Sequence, residues 1–351
     1  MKNYQLASAI LGISAGILSF ASSASAQTQE TVTKPQSGLE DANAIEDFRY
    51  DEISKGNNTL NNRYQGRIRL SFVYNVKGQF KIVGLASTGN SFGNDWTNVW
   101  DLKTKSTVPT TLSFRQLYVE KDFKIKGNDS QVLLGSFNGF QTVGSAGISS
   151  TSGWLDGVKF RTNTQIGHFD VVVGSLFANG NPDAFTRQRK WNYVQVEFDR
   201  SILKNLQYHA GYDHFDSDDY IQQTLTYSPE IFGRLVLNFM GDGVYDIQKK
   251  ASSYEIAAST DVLGAISKNP NLKNRLKIEA WYTQLASALH ERNSMNSAYA
   301  GADGSMWTER VSYNIGKKRQ INVYARHLNG RVNRDMIGIS FNPGSLMKKK
   351  N

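Results

Sequence analysis

The stretch GRIRLSFVYNVKGQFKIVGLAST, residues 66–88, carries the strongest structural signal of this chain. Two alternating runs flank the turn-like segment 75–78. In the first run, apolar side chains alternate with arginine and serine: Ile68, Leu70, Phe72 and Tyr74 against Arg67, Arg69 and Ser71. Successive side chains of a strand point to opposite faces, so the stretch predicts a hairpin with one apolar face. That face must contact either a protein core or lipid.

The same alternation recurs along the chain to residue 341, and the segments between the runs alternate in length. The short segments are 75–78, 124–129, 162–167, 199–205, 228–233 and 316–320. The longer, polar segments are 89–111, 138–153, 178–190 and 287–305, with 241–250 as an intermediate case. A barrel with short turns at one end and long loops at the other produces this pattern. All six prolines lie outside the predicted strands, as paired strands require.

These patterns predict an all-β protein, namely a transmembrane antiparallel up-and-down β-barrel with short periplasmic turns and long external loops. We expect about 16 strands, with 14 as the alternative. The first strand is expected at 44–54, where alternation is poor, and 260–274 is expected to be a long periplasmic turn with a short helix. In a membrane all backbone polar groups must be paired internally, which a closed barrel achieves. The alternative is a large periplasmic or secreted β protein.

The two ends of the chain have their own signals. A basic start, an apolar run and an Ala-x-Ala site predict a cleaved signal peptide and export. We expect four regions: signal peptide 1–26, polar periplasmic lead-in 27–43, barrel 44–341 and basic tail 342–351. The chain has no cysteine, so extensive backbone pairing or a large core must stabilise it. Its net charge is +9, but nucleic acid is not the expected partner of an exported chain.

If the apolar face contacts lipid, the alternation predicts which charged side chains line the lumen. The predicted pore-lining residues are Arg67, Arg69, Lys81, Glu120, Lys159, Arg161, Asp170, Glu197, Glu255, Lys277, Glu279, Arg310 and Arg326. Cations exceed acids in this set, which predicts a modest anion preference. Arg115 is ambiguous, because it shares a face with Leu117 and Val119.

Three consecutive motifs resemble those of Gram-negative outer-membrane porins: FRQLYVEKDF (114–123), QVLLGSF (131–137) and DGVKF (156–160). The resemblance implies a homotrimer in the cell outer membrane that contacts lipid. It also implies a water-filled channel for small hydrophilic solutes or anions. Its third external loop, here the uncharged segment 138–153, would fold into the lumen. Such barrels often end on an aromatic residue, whereas here NPGSLMKKKN follows Phe341.

Signals for an enzyme are weak. The pattern GNSFG at 89–93 matches a nucleophile elbow, but no apolar helical segment follows it. The motif HFD occurs at His168 and at His214 without a readable partner serine. No metal or cofactor motif is present, so we expect neither catalysis nor a cofactor. Two alternatives are a non-conducting structural or adhesive barrel, with Trp96 and Trp100 in an external loop, and a barrel hydrolase that uses His168 or His209.

Overall fold

The computed structural model of the chain describes residues 37–55, 60–89, 97–101, 112–138, 154–176, 183–186, 189–231, 235–267, 269, 272–289, 304–314, 320–329 and 334–342. Antiparallel β-structure dominates these residues. The strands are β1 (Gly38–Lys55), β2 (Leu60–Val76), β3 (Phe80–Ser87), β4 (Thr97–Asp101), β5 (Ser113–Ile125), β6 (Asn128–Asn138), β7 (Trp154–Thr164), β8 (Gly167–Leu176), β9 (Tyr193–Leu203), β10 (Leu206–Phe215), β11 (Asp218–Tyr227), β12 (Glu230–Ile231), β13 (Leu235–Asp246), β14 (Ala251–Asp261), β15 (Leu276–Leu285), β16 (Gly304–Asn314), β17 (Gln320–Asn329) and β18 (Arg334–Asn342). The helices are α1 (Val262–Ile266) and a 3₁₀ turn at Ser287–Leu289.

The strands form a ring. Successive strands pair antiparallel, and β1 pairs with both β2 and β18, so the sheet returns to its start. Two strands are short additions, because β4 pairs only with the start of β2 and β12 only with the start of β13. The other sixteen described strands make up the wall, which confirms the predicted up-and-down architecture and strand number. No helix in the described residues is long and apolar enough to cross a membrane.

The first strand is present and longer than the predicted segment, since β1 runs over Gly38–Lys55. Its poor alternation does not weaken it, because both of its edges are paired. The long turn predicted at 260–274 contains α1, and the side chain of Asp261 caps this helix by accepting a hydrogen bond from the backbone N–H of Gly264.

The intermediate loop predicted at 241–250 is wrong, because β13 continues to Asp246 and β14 begins at Ala251. The segment is polar and glycine-rich, which predicted a loop, and it contains Asp242 and Asp246. Their carboxylates are hydrogen-bonded. Thr224 Oγ1 donates to Asp242 over 2.8 Å, and the backbone N–H of Lys249 donates to Asp246 over 2.7 Å.

Connections at one end of the ring, here called the turn end, include the tight turns at 77–79, 126–127, 165–166 and 204–205. The opposite end, here called the loop end, carries the segments 88–112, 139–153 and 177–192. Of the connections at the loop end that the structure describes in full, those at 216–217 and 247–250 are also tight, so loop length separates the two ends less strictly than predicted. Lys77 and Gly78 both have positive φ, which the tight turn after β2 requires.

The two faces of the ring differ in chemistry. On one face, large apolar side chains are exposed along the strands, with Leu134 59%, Ile256 61% and Ile337 61% exposed. The other face encloses a cavity of about 670 Å³ to which β11, β13, β14, β15, β16 and β17 all contribute. A face that six neighbouring strands turn towards one cavity is concave, so it is the inner face. The exposed apolar side chains therefore cover the outer face.

The opening hairpin shows how closely the outer face packs. Phe72 of β2 lies directly opposite Gly84 of β3. A Cβ added at Gly84 would lie 2.2 Å from Cε1 of the Phe72 ring, so the ring packs over bare backbone. Glycine is required there because the aromatic ring occupies the space of a side chain.

Candidate pore: the charged inner wall

The pairing register shows which side chains share the inner face, because directly paired residues point to the same side of a sheet. For example, Arg161 of β7 pairs with Asp170 of β8, which pairs with Glu197 of β9. Followed around the ring, the register brings all the predicted pore-lining residues to the inner face. They are Arg67, Arg69, Lys81, Glu120, Lys159, Arg161, Asp170, Glu197, Glu255, Lys277, Glu279, Arg310 and Arg326.

These residues do not form a single site. One cluster centres on Asp170, whose carboxylate receives a bidentate pair of hydrogen bonds from Arg161, Nε to Oδ1 at 3.0 Å and Nη2 to Oδ2 at 3.2 Å. Lys159 Nζ lies 3.1 Å from the same carboxylate. Glu197, beside it, accepts a hydrogen bond of 3.0 Å from Gln195 Nε2. Bidentate guanidinium–carboxylate pairs have a defined geometry, so the orientation of the Arg161 and Asp170 side chains towards each other is specified.

A second cluster lies nearer the turn end on β3, β5 and β6. Lys81 Nζ lies 3.3 Å from Glu120 Oε1 and 3.1 Å from Asp122 Oδ2. Gln131 Nε2 donates to the other oxygen of Asp122 over 2.8 Å. A cavity of about 560 Å³ joins the two clusters, because Asp122 and Arg161 both line it.

The third cluster lines the larger cavity at the turn end. Glu279 lies between two cations, with Lys277 Nζ 2.6 Å from Oε1 and Arg310 Nε 2.6 Å from Oε2. The guanidinium of Arg310 also lies over the ring of Trp281, 5.3 Å from its centroid. Glu255, at the edge of the cavity, accepts a hydrogen bond of 2.7 Å from Thr283 Oγ1.

Three arginines on the inner face lie apart from these clusters. Arg67 and Arg69 of β2 lie opposite Asp47 and Ile45 of β1 in the register. Arg326 of β17 pairs with Thr308 of β16.

A β-bulge resolves the position of Arg115. Leu85 of β3 pairs with Gln116 but Ala86 pairs with Phe114, so Arg115 is an extra residue on β5. The bulge turns it away from the outer face that alternation would have given it. Arg115 is completely buried at 0% exposure, and its Nη2 donates to the carbonyl oxygens of Thr88 over 2.8 Å and Gly89 over 2.6 Å.

Several charged residues of the inner face were absent from the predicted set. Among the side chains that the structure describes, the register adds the acids Asp41, Asp122, Asp129, Asp199, Asp213, Asp218, Asp242, Asp246 and Asp261 and one cation, Lys124. Asp242 and Asp246 were missed because their segment was read as a loop, although alternation from Asn238 through Met240 would have found both. With these acids, the strands no longer show the predicted excess of cations.

Each of the two described inner-wall histidines lies beside a carboxylate. His209 Nε2 lies 3.6 Å from Glu197, and His168 Nε2 lies 3.6 Å from Asp170, both beyond hydrogen-bonding distance. Neither ring nitrogen of His209 has a hydrogen-bond partner. In the part of the chain that the structure describes, no group of three or more His, Cys, Asp or Glu is arranged to hold a metal ion.

Several predictions fall outside the described residues. These are the signal peptide 1–26, most of the lead-in 27–43, the lumen loop 138–153 beyond Asn138, residues 90–93 of the GNSFG motif, the side chains of Trp96 and Trp100, and the tail after Asn342. They remain predictions.

No family model and no curated protein matches the sequence. The fold, however, is similar to solved structures across most of the chain. A variant of the Rh. blastica porin gives a TM-score of 0.51 at 10% identity, over 88% of this chain and 100% of that one. OprB from Pseudomonas putida gives 0.53 at 10%, over 87% and 92%, and OmpF from Salmonella typhi gives 0.52 at 10%, over 86% and 97%. The chain therefore has the fold of the Gram-negative outer-membrane porins.

Proposed function

We propose that this chain is a porin of the cell outer membrane, which forms a water-filled channel for passive diffusion of small hydrophilic solutes. The observation that carries the proposal is the inverted distribution of side chains, with exposed Leu, Ile and Val outside and ion pairs inside. A soluble protein would leave such an apolar surface in water, whereas lipid solvates it. Similarity in fold to proteins named as porins supports the same assignment.

Transport in this proposal needs no chemistry. The wall excludes large solutes by size, and its charges set the field that ions meet.

A modest anion preference is part of the proposal, although the balance of strand charges does not produce it. It would arise from exposure in two of the three clusters, where a cation is more exposed than the acid it pairs with; in the cluster of Lys81 the acid Asp122 is the more exposed partner. In the cluster around Glu279, the side chains of Lys277 and Arg310 are 45% and 41% exposed, whereas that of Glu279 is 12% exposed. Asp170 is likewise buried behind the partly exposed Arg161. An ion passing the clusters around Glu279 and Asp170 would therefore meet the cations first.

The assignment includes export through a cleaved signal peptide, contact with outer-membrane lipid and assembly as a homotrimer. Both ends of the described chain reach the turn end, because β1 begins there and β18 ends there. In a porin the end with short turns faces the periplasm. A chain that inserts into the outer membrane from the periplasm is expected to keep both termini on that side.

The second candidate is a barrel that does not conduct and acts through its external loops. Single-channel recording of the purified protein in a planar bilayer separates the two. We expect stepwise open conductance and, under a KCl gradient, a reversal potential displaced modestly towards that of chloride. A folded barrel that never conducts would overturn the porin assignment and favour the structural or adhesive one. A potential displaced towards that of potassium would leave the channel but remove the anion preference.

A further inference from the structure

The cavity at the turn end is lined by both apolar and cationic side chains. It measures about 670 Å³, and its lining includes Trp281, Met240 and Ala257 beside Lys277 and Arg310. The indole ring gives one part of the cavity an apolar surface. The two cations lie within the same cavity, so a solute resting there would contact both kinds of chemistry.

Hydrogen-bond donors of the two cations remain unused. Arg310 donates to Glu279 only through Nε, and its two Nη groups make no hydrogen bond within the described residues. Lys277 Nζ donates one hydrogen bond, also to Glu279, although an ammonium carries three donors. Both side chains are close to half exposed on the cavity side of the wall. A second anionic partner can therefore reach the same two cations, in competition with Glu279.

The acids of the cavity already have hydrogen-bond partners within the protein. Asp261 accepts hydrogen bonds from the backbone N–H groups of Gly264 and Asn274, over 3.2 and 2.5 Å. Glu255 is buried and bound by Thr283. Glu279 shows what the two cations are spaced to hold, because its single carboxylate bridges an ammonium and a guanidinium at 2.6 Å each. The cavity thus offers unused donors and engaged acceptors.

We propose that this cavity is a binding station for organic carboxylates that carry an apolar or aromatic group, and that Glu279 competes for the same two cations. The solute carboxylate pairs with Arg310 Nη and Lys277 Nζ, and its apolar part packs on Trp281. The inference rests on the proposed function, since a diffusing solute must reach the lumen to bind. It goes further by assigning a solute class and a location to part of the wall.

Titration calorimetry of the purified full-length protein in detergent tests the station independently of conduction. Benzoate is the probe, and benzyl alcohol is its uncharged analogue. We expect Arg310→Gln to weaken benzoate binding about tenfold, the effect of losing a charged hydrogen bond. Glu279→Gln should strengthen it about tenfold, because both cations lose their internal partner. Lys81→Gln, which removes an inner-wall cation outside this cavity, is the matched control and should leave binding unchanged.

The gain expected for Glu279→Gln protects the test against variants that fold poorly, since a damaged protein would not bind more tightly. Equal binding of benzoate and benzyl alcohol, or equal effects of Arg310→Gln and Lys81→Gln, would overturn the station. If the protein conducts but does not bind benzoate, the station fails and the porin assignment stands. If it binds benzoate as expected but never conducts, the station stands and the porin assignment fails.

Discussion

Arg115 illustrates how one side chain can fix the end of a strand. It is buried, and its guanidinium donates to the carbonyls of Thr88 and Gly89, where β3 ends and the segment towards β4 begins. Arginine remains charged in a protein, so these hydrogen bonds have an ionised donor and are stronger than neutral ones. The bulge on β5 is what brings the side chain there.

We therefore expect Arg115→Met to destabilise the barrel by about 3 kcal/mol, because two buried carbonyls lose a charged donor while most of the side-chain volume is kept. The free energy of unfolding is measured by urea titration in lipid vesicles. Lys124→Met is the control, since Lys124 is an exposed cation near the turn end of the same strand, and it should change stability by less than about 0.5 kcal/mol. Equal effects of the two substitutions would show that Arg115 does not anchor β3.

At the scale of the strand, neighbouring residues experience opposite environments. Ile256 and Ala257 of β14 are adjacent, yet Ile256 is exposed on the outer face and Ala257 lines the turn-end cavity. If lipid surrounds the outer face, a charge at Ile256 enters hydrocarbon, whereas a charge at Ala257 enters the lumen.

The two substitutions to arginine should differ strongly. We expect Ile256→Arg to lower the free energy of unfolding in lipid vesicles by about 2–4 kcal/mol. Ala257→Arg should lower it by less than about 1 kcal/mol, because the cavity leaves the guanidinium in water. Unfolding of both variants under the same conditions gives the comparison. Similar losses would mean that the outer face does not contact hydrocarbon.

Alternation predicted most strands and the direction of their charged side chains, because its period of two is independent of what surrounds the sheet. It failed where a local feature interrupts that period. The bulge at Arg115 depends on pairing with β3, which no pattern within β5 reveals. The last part of β13, which contains Asp242 and Asp246, was not predicted to be a strand. Their hydrogen-bond donors, Thr224 and Lys249, lie outside β13, so the pattern within the strand does not reveal them. The three charge clusters were also beyond prediction, since they depend on side-chain reach across strands.

At the scale of the whole molecule, the ring is closed by the two ends of the described chain. β1 pairs with β18 in a continuous register from Phe48 opposite Phe341 to Lys55 opposite Arg334. Closure pairs the edges that an open sheet would leave exposed, and lipid could not satisfy the backbone groups of such edges. The chain contains no cysteine, so nothing covalent holds the ends together.

The absence of cysteine makes closure directly testable by cross-linking. Tyr50 of β1 lies opposite Ile339 of β18, whereas Ile337 lies opposite Glu52, two residues further along. Two Cα atoms must lie within about 7 Å for a disulfide to form, which direct partners satisfy and a shifted pair does not. We expect Tyr50→Cys with Ile339→Cys to form a disulfide on mild oxidation, seen as a mobility shift on a denaturing gel. Tyr50→Cys with Ile337→Cys should remain largely reduced. Equal cross-linking of both pairs, or of neither, would mean that the two ends do not meet in this register and that the barrel closes differently or remains open.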